Sequence, residues 1–171
     1  GGWLNRLLLD ANSRISLSNN DGGNLGNTIF GNSAWNNTSD NGSDYNTLIG
    51  ESVMASSAVN GANNNIAIGW RSLFKAVACS GNIAIGNEVM YDNVSTGNNN
   101  VAIGFKALAE LNDNAADNNV VIGAYAANTD SNDIVSGNNN VLIGASTAVS
   151  LAAATNQTVI GYATTGQGNN S

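Results

Sequence analysis

Apolar segments of three residues recur along the chain, and each ends at a glycine. The phrase GNNNVAIGFKAL, residues 97–108, returns in altered form as GANNNIAIGWRSL at residues 61–73 and as GNNNVLIGAST at residues 137–147. Three positions before each glycine stands Thr, Ile or Val, and one position before it stands Ile or, in one copy, Phe. β-Branched and aromatic side chains spaced by two residues favour extended backbone. Each segment therefore predicts a β-strand.

Aligning the chain on these glycines gives eight copies, with spacings of 19, 19, 17, 18, 19, 21 and 17 residues. We call them the turn glycines: Gly31, Gly50, Gly69, Gly86, Gly104, Gly123, Gly144 and Gly161. A near-constant period of this length predicts a solenoid, in which each copy is a coil that stacks on the next. The middle strand position is also apolar, so both strand faces must avoid water, as in covered parallel sheets. The predicted fold is all-β, a parallel β-solenoid or β-roll of about eight coils of 17–21 residues.

An amide side chain stands four residues before every turn glycine, and it is Asn in every copy but the last. In stacked coils these residues fall at equivalent places, where each amide can hydrogen-bond to its neighbour. The predicted ladder residues are Asn27, Asn46, Asn65, Asn82, Asn100, Asn119, Asn140 and Gln157. The turn glycines are expected where the chain leaves the strand with a positive φ or where another backbone comes close.

The segment after each turn glycine has its own apolar pattern. In FKALAEL, residues 105–111, apolar residues stand three and four apart, which predicts either a second short strand or a single turn of helix. Polar loops then absorb the variation in length. Three regions follow from the pattern: an N-terminal cap or attachment segment at 1–26, in which Ile15 and Leu17 alternate with serine, a repeat domain at 27–165, and the start of a truncated repeat or a tail at 166–171.

The composition removes most catalytic chemistry. The chain of 171 residues has no His, five Lys plus Arg, twelve Asp plus Glu, a net charge of −7 and 33 Asn. Without His, the usual catalytic triads and histidine zinc sites are excluded. The basic residues are scattered along the sequence, so nucleic acid is not an expected partner: they are Arg6, Arg14, Arg71, Lys75 and Lys106. Cys79 stands alone and is interpreted as a small buried residue. The sequence contains no run of eighteen apolar residues, so membrane insertion is not predicted. No cofactor is predicted.

Two weaker candidates for chemistry remain. Glu51 and Glu88 stand just after their turn glycines and two coils apart, near the upper limit of the carboxylate separation in sugar-cleaving enzymes. The loops 112–117 and 129–133 carry oxygen ligands suited to calcium but match no calcium-binding spacing. We interpret all of them as solvated surface groups, so the chain is predicted not to be an enzyme and to hold no metal.

Three aromatic residues share the position directly after a turn glycine: Trp70, Phe105 and Tyr162. A column of rings along one edge of the rod would serve either packing between chains or stacking on sugar rings. A coil of about 19 residues also has too thin an interior to hide both faces of its strand. Either the post-glycine segments cover the outer face or identical chains do, and we favour a parallel homo-oligomer because it adds buried apolar surface.

The phrase NNNVAIGFKAL resembles the Asn-rich repeats of bacteriophage tail fibres, and NxVAIG is similar to the head repeat of trimeric autotransporter adhesins. The opening residues, RLLLDANSRISLSNND with GNTIFG, also resemble the start of such a phage fibre protein. The resemblance covers residues 27–162. It implies a parallel homotrimer of left-handed β-rolls that acts as a shaft or head in attachment to a cell surface.

The resulting expectation is a structural fibre segment in a virion tail fibre, whose partners are its own copies and a glycan or protein receptor on the cell surface. The adhesin repeat is usually a few residues shorter, and this sequence has no neck motif, coiled-coil stalk or membrane anchor. A head domain of a bacterial surface adhesin is the alternative of the same class. A tailspike-like enzyme that depolymerises polysaccharide is the alternative of another class.

Overall fold

The computed structural model describes residues 26–35, 42–56, 59–92, 97–110, 116–129, 133–134 and 136–171. Within these residues the protein is all-β, with one three-residue strand per repeat and no helix. The strands are β1 Thr28–Phe30, β2 Thr47–Ile49, β3 Ile66–Ile68, β4 Ile83–Ile85, β5 Val101–Ile103, β6 Val120–Ile122, β7 Val141–Ile143 and β8 Thr158–Ile160. The proposed cap positions Ile15 and Leu17 lie outside the described residues.

The eight strands form a single parallel sheet in which each strand pairs with the next one along the chain. The register is constant: Val101 pairs with Val120, Ala102 with Val121, and Ile103 with Ile122. Each repeat thus lies directly over the last, which confirms the predicted parallel β-solenoid.

The middle residue of each strand points into the solenoid. From β2 to β8 this column is buried, with at most 4% of any residue exposed: Leu48, Ala67, Ala84, Ala102, Val121, Leu142 and Val159. A second buried column comes from the post-glycine segments, four residues after the turn glycine, and includes Trp35, Met54, Leu73, Met90 and Leu108. These two columns face each other across a thin core.

The post-glycine segments differ from the prediction. Within the described residues they contain neither a helix nor a regular second strand. Instead, the second and fourth residues after most turn glycines have a positive φ, as at Lys106 (54°) and Leu108 (52°). Their N–H groups still bond between repeats, since Lys106 N donates to the Asn87 carbonyl at 3.0 Å and Leu108 N to the Ala126 carbonyl at 2.9 Å. The segments therefore stack in register, and their backbone alternates between left-handed residues with positive φ and residues with negative φ.

The residues from Gly168 to Ser171 lie on the β8 repeat in the same register. Asn169 Oδ1 accepts a bond from Thr155 N at 2.9 Å, and the Ser171 carbonyl accepts one from Thr158 N at 2.6 Å. The second bond is the one that the ladder residue of the next repeat accepts elsewhere, for example Val101 N to the Asn119 carbonyl at 2.8 Å. The segment GNNS thus occupies the place that GNNN occupies in earlier repeats.

Candidate functional site

The asparagine ladder residues form one continuous buried column. Six amide-to-amide bonds of 3.0–3.3 Å join the seven asparagines, from Asn46 Nδ2 on Asn27 Oδ1 to Asn140 Nδ2 on Asn119 Oδ1. The asparagines are 0–4% exposed. Such a column makes each repeat specify the position of the next one.

Each amide in the middle of the column uses its full bonding capacity. Asn100 Oδ1 accepts from both the backbone N and Nδ2 of Asn119, at 2.9 and 3.0 Å. Asn100 Nδ2 donates to Asn82 Oδ1 at 3.3 Å and to the Ala116 carbonyl at 2.7 Å. An amide side chain offers two donors and two lone pairs, and all four are used here. These hydrogen bonds offset the cost of removing the amide from water.

Gln157 ends the column in a different way. Its backbone N donates to Asn140 Oδ1 at 3.0 Å, as an asparagine would. Its longer side chain turns to Ser150, donating from Nε2 to Oγ at 2.5 Å and accepting from Ser150 N at 3.0 Å. The amide of Gln157 therefore satisfies a neighbouring loop instead of continuing the ladder.

A second polar column, which the sequence analysis missed, lies two residues before the ladder. In most repeats a side-chain oxygen there accepts the backbone N–H of the preceding repeat, as Asn98 Oδ1 does from Ser80 N at 2.8 Å and Asp117 Oδ1 from Asn98 N at 2.7 Å. The positions of this column hold Asp44, Asn63, Ser80, Asn98, Asp117, Asn138, Thr155 and Asn169. The signal was present as a short polar residue at one offset, but its identity varies among Asp, Asn, Ser and Thr.

The turn glycines stack closely. A Cβ on Gly104 would lie 2.7 Å from the carbonyl carbon and oxygen of Gly123, and the φ of Gly104 is 130°. The same clash with the next turn glycine recurs from Gly31 to Gly144, and all eight turn glycines have φ between 123° and 146°. A side chain is thus excluded twice, by conformation and by space.

The outer strand positions form a partly exposed, mainly apolar surface, which we call the strand stripe. It consists of the first and third residues of each strand: Thr28, Phe30, Thr47, Ile49, Ile66, Ile68, Ile83, Ile85, Val101, Ile103, Val120, Ile122, Val141, Ile143, Thr158 and Ile160. None is fully buried, and Phe30 and Ile160 are 61% and 66% exposed. Within the described residues the post-glycine segments leave this surface partly exposed.

Aromatic and charged side chains gather on the post-glycine segments of the β3 to β6 repeats, and we call this group the mixed patch. Phe74 stacks on Tyr91 with centroids 5.2 Å apart, and Phe105 meets Tyr125 edge to face at 5.1 Å. Trp70 and Phe105 are 38% and 39% exposed. Tyr162 is 81% exposed and belongs to the β8 repeat, three repeats beyond Phe105, and Trp70 and Phe105 themselves lie two repeats apart.

Three basic residues belong to the mixed patch. Arg71 and Lys75 lie in the β3 repeat, and Lys106 lies two repeats further on, in the β5 repeat. Lys75 Nζ lies 2.5 Å from Asp92 Oδ1, and Lys106 Nζ lies 3.4 Å from Glu88 Oε2. The hydrogen bond to Asp92 raises the pKa of Lys75 above its ordinary value. Because acids pair with both lysines, the patch is not a basic surface.

The two candidate carboxylates lie in different repeats and have different surroundings. Glu51 is exposed in the β2 repeat, whereas Glu88 in the β4 repeat pairs with Lys106. The described residues contain no group of three acidic or cysteine side chains that could hold a metal ion. Residues 112–115 and 130–132 of the two candidate calcium loops lie outside the described part of the chain.

Cys79 lies at the solenoid interior and is fully buried. Burial raises the pKa of its thiol to about 12. It occupies a column of small residues three positions before the ladder, with Ala62 and Ala116 in equivalent places. This placement agrees with a packing role.

Across the described residues, no helix has the length and apolar character needed to cross a membrane. Comparisons with protein-family models, with curated proteins and with solved structures find no match for this chain.

Proposed function

We propose that the protein is a segment of a rigid homotrimeric fibre that serves attachment to a cell surface. The observation behind the proposal is the strand stripe, a mainly apolar surface that follows all eight strands and that the described residues leave partly exposed. Large contiguous apolar surfaces are uncommon on monomeric proteins and mark interaction sites. Sister chains that pack side by side along the stripe would bury it.

The proposed geometry is a parallel trimer with the stack axes aligned. Every repeat has one strand, and the strands share one register. A partner chain aligned with the stack axis therefore meets equivalent strand positions at every level. Strands in such a stack are about 4.8 Å apart, which makes the eight-stranded rod about 38 Å long. Three chains, and the left-handed coil, come from the resemblance to tail-fibre and adhesin repeats.

The interior supports a mechanical role. The ladder residues, the second polar column and the backbone all hydrogen-bond along the stack, so each repeat is tied to its neighbours at several points. A shaft requires this kind of stiffness, whereas a catalyst requires a set of reactive groups. The proposed location is a phage tail fibre, and the surface of a bacterium is the alternative within the same class.

The number of chains is tested by light scattering on the purified protein. The proposal predicts a particle of about 52 kDa, three times the chain mass of 17.4 kDa. A stable particle of 17.4 kDa would contradict it.

The enzymatic alternative is tested separately. We expect no new reducing ends when the protein is incubated with bacterial capsule or lipopolysaccharide extracts. Turnover of either polymer would replace the fibre-only proposal with a depolymerase.

A further inference from the structure

A cavity opens in the mixed patch between the β4, β5 and β6 repeats. Its volume is about 220 Å³, and it is lined by Glu88, Tyr91, Asp92, Lys106, Glu110 and Asn128 among others. All of these residues lie in post-glycine segments, two to six residues beyond a turn glycine, so none belongs to the strand stripe. The cavity is therefore separate from the surface that the proposed trimer would bury.

The lining combines the groups that recognise a polyhydroxylated ring. Carboxylates accept hydrogen bonds from hydroxyl groups, Lys106 donates, and the amide of Asn128 does both. Tyr91 adds a ring whose position is fixed by stacking on Phe74, 5.2 Å away. A few convergent polar groups beside an aromatic surface are typical of small-molecule sites.

The walls are held in place by contacts between repeats. Asp92 pairs with Lys75 of the preceding repeat, and Glu88 pairs with Lys106 of the following one. Each pair bridges two stacked repeats, so the solenoid itself sets the separation of the lining groups. Walls fixed in this way lower the ordering cost of binding.

The charges select against ionic ligands. Three carboxylates and one ammonium line the cavity, in a chain of net charge −7, so an acidic ligand is repelled. Lys75 and Lys106 pair with Asp92 and Glu88, so two of the three carboxylates already have a cationic partner and the attraction for a cationic ligand is reduced.

We infer that this cavity binds an uncharged saccharide through one or two of its rings. The inference rests on the proposed attachment function and names the chemistry of its receptor. The volume is below the range of about 300–1,000 Å³ that encloses drug-sized ligands, so a single cavity should bind weakly, with a Kd of about 1 mM. Several copies in one fibre would raise the overall avidity without further contacts.

The test is saturation-transfer NMR with titration, on the whole chain, using five trisaccharide probes. Maltotriose, cellotriose and chitotriose are the uncharged probes, trisialic acid is the acidic probe, and the glucosamine trimer is the cationic one. We expect at least one uncharged probe to bind with a Kd of about 1 mM. The two charged probes should bind at least tenfold more weakly.

Variants locate the site. Asn128→Ala should weaken binding of the uncharged probe about tenfold, and Tyr91→Ala by more, whereas Tyr162→Ala on the β8 repeat should leave it unchanged. Tyr91→Phe keeps the ring and its stack on Phe74 and removes only the hydroxyl group. It therefore tests the hydroxyl contact with the sugar if Tyr91→Ala fails to fold. Melting temperatures of all variants show whether a loss of binding comes from a loss of structure.

Three results would overturn the inference: no binding of any uncharged probe, tighter binding of a charged probe, or uncharged binding that survives both Asn128→Ala and Tyr91→Ala. Light scattering on the same samples keeps the two proposals apart. A trimer that binds no sugar would refute the saccharide site alone, and a monomer that binds one would refute the fibre alone.

Discussion

At the scale of single residues, asparagine meets two different requirements in several repeats. At the ladder position it is buried and bonds through both ends of its amide. One residue earlier it is exposed and has a left-handed backbone, with φ of 55–60° at Asn64, Asn99, Asn118, Asn139 and Asn156. Asn tolerates that conformation better than most residues. The two requirements together account for twelve of the 33 asparagines, seven in the ladder and five in the left-handed position.

Replacing Asn100 with Leu should destabilise the protein strongly. The change removes the partners of Asn119 N, Asn119 Nδ2 and the Ala116 carbonyl, and each buried group left unpaired costs about 1–3 kcal/mol. We expect the free energy of unfolding in denaturant to fall by at least about 2 kcal/mol. An unchanged value would mean that the ladder is not a structural requirement.

Asn99, next to the ladder, supplies a matched control because its role is to adopt a left-handed backbone. Asn99→Gly should change stability little, because Gly adopts the φ of 56° freely. Asn99→Val should cost about 1–2 kcal/mol through left-handed strain. Equal effects of the two substitutions on unfolding would refute the backbone role of this residue.

The turn glycines allow strain and crowding to be separated. Gly104→Ala combines a φ of 130° with a Cβ at 2.7 Å from Gly123, whereas Gly61→Ala has a φ of 78° and open space around the Cβ. We expect Gly61→Ala to cost about 1 kcal/mol from strain alone and Gly104→Ala to cost clearly more. The crowding explanation is wrong if thermal unfolding shows the two variants to be equally stable.

Cys79 should resist thiol reagents. Its folded pKa of about 12, raised by burial, means almost no thiolate near pH 8, so labelling should need unfolding. The unfolded thiol ionises above its ordinary pKa of 9.0, whereas the folded thiol stays protonated to about pH 12. Stability should therefore fall as pH rises from 9 to 12, and Cys79→Ala should remove that contribution. Rapid labelling of the folded protein would show the site to be open.

At the scale of elements, the strands were predictable because one constraint acts on them in every copy. The middle residue must be apolar, the ladder amide must stand before it and the turn glycine after it, and these residue types change little from repeat to repeat. Regular spacing then gives the parallel register without further information.

The other two elements were harder to predict for physical reasons. The second polar column needs only a side-chain oxygen, which carboxylates, amides and hydroxyls supply equally, so no single residue type marks it. In the post-glycine segments, adjacent residues such as Ala107 and Leu108 are both buried because every second residue has a positive φ. The resulting spacing of apolar residues resembles that of a helix. The mixed patch depends on how these segments stack, which the spacing does not show.

The two polar columns bond in opposite directions along the stack. In the ladder, the donor belongs to the later repeat, as in Asn100 N on Asn82 Oδ1 at 2.9 Å. In the second column the donor belongs to the earlier repeat, as in Ser80 N on Asn98 Oδ1 at 2.8 Å. Each repeat therefore both donates and accepts side-chain bonds across the same boundary with its neighbour.

At the scale of the whole molecule, assembly should depend on where an apolar side chain lies. Ile103 belongs to the strand stripe, whereas Leu151 is 49% exposed outside it. We expect Ile103→Lys to reduce the particle mass measured by light scattering to that of one chain, because a buried unpaired charge is costly. Leu151→Lys should leave the mass unchanged, and dissociation by both variants alike would deny the stripe any special role.

The most direct measurement is chemical cross-linking at the strand stripe. Ile103→Cys, in a Cys79→Ala chain, is treated at high dilution with a bis-maleimide short enough to match the separation of about 10 Å between packed sheets. If sister chains pack along the strand stripe, we expect covalent linkage between chains at position 103 and none for the matched Leu151→Cys chain. A protein that stays uncrosslinked at position 103, while its mass remains that of one chain, would contradict it.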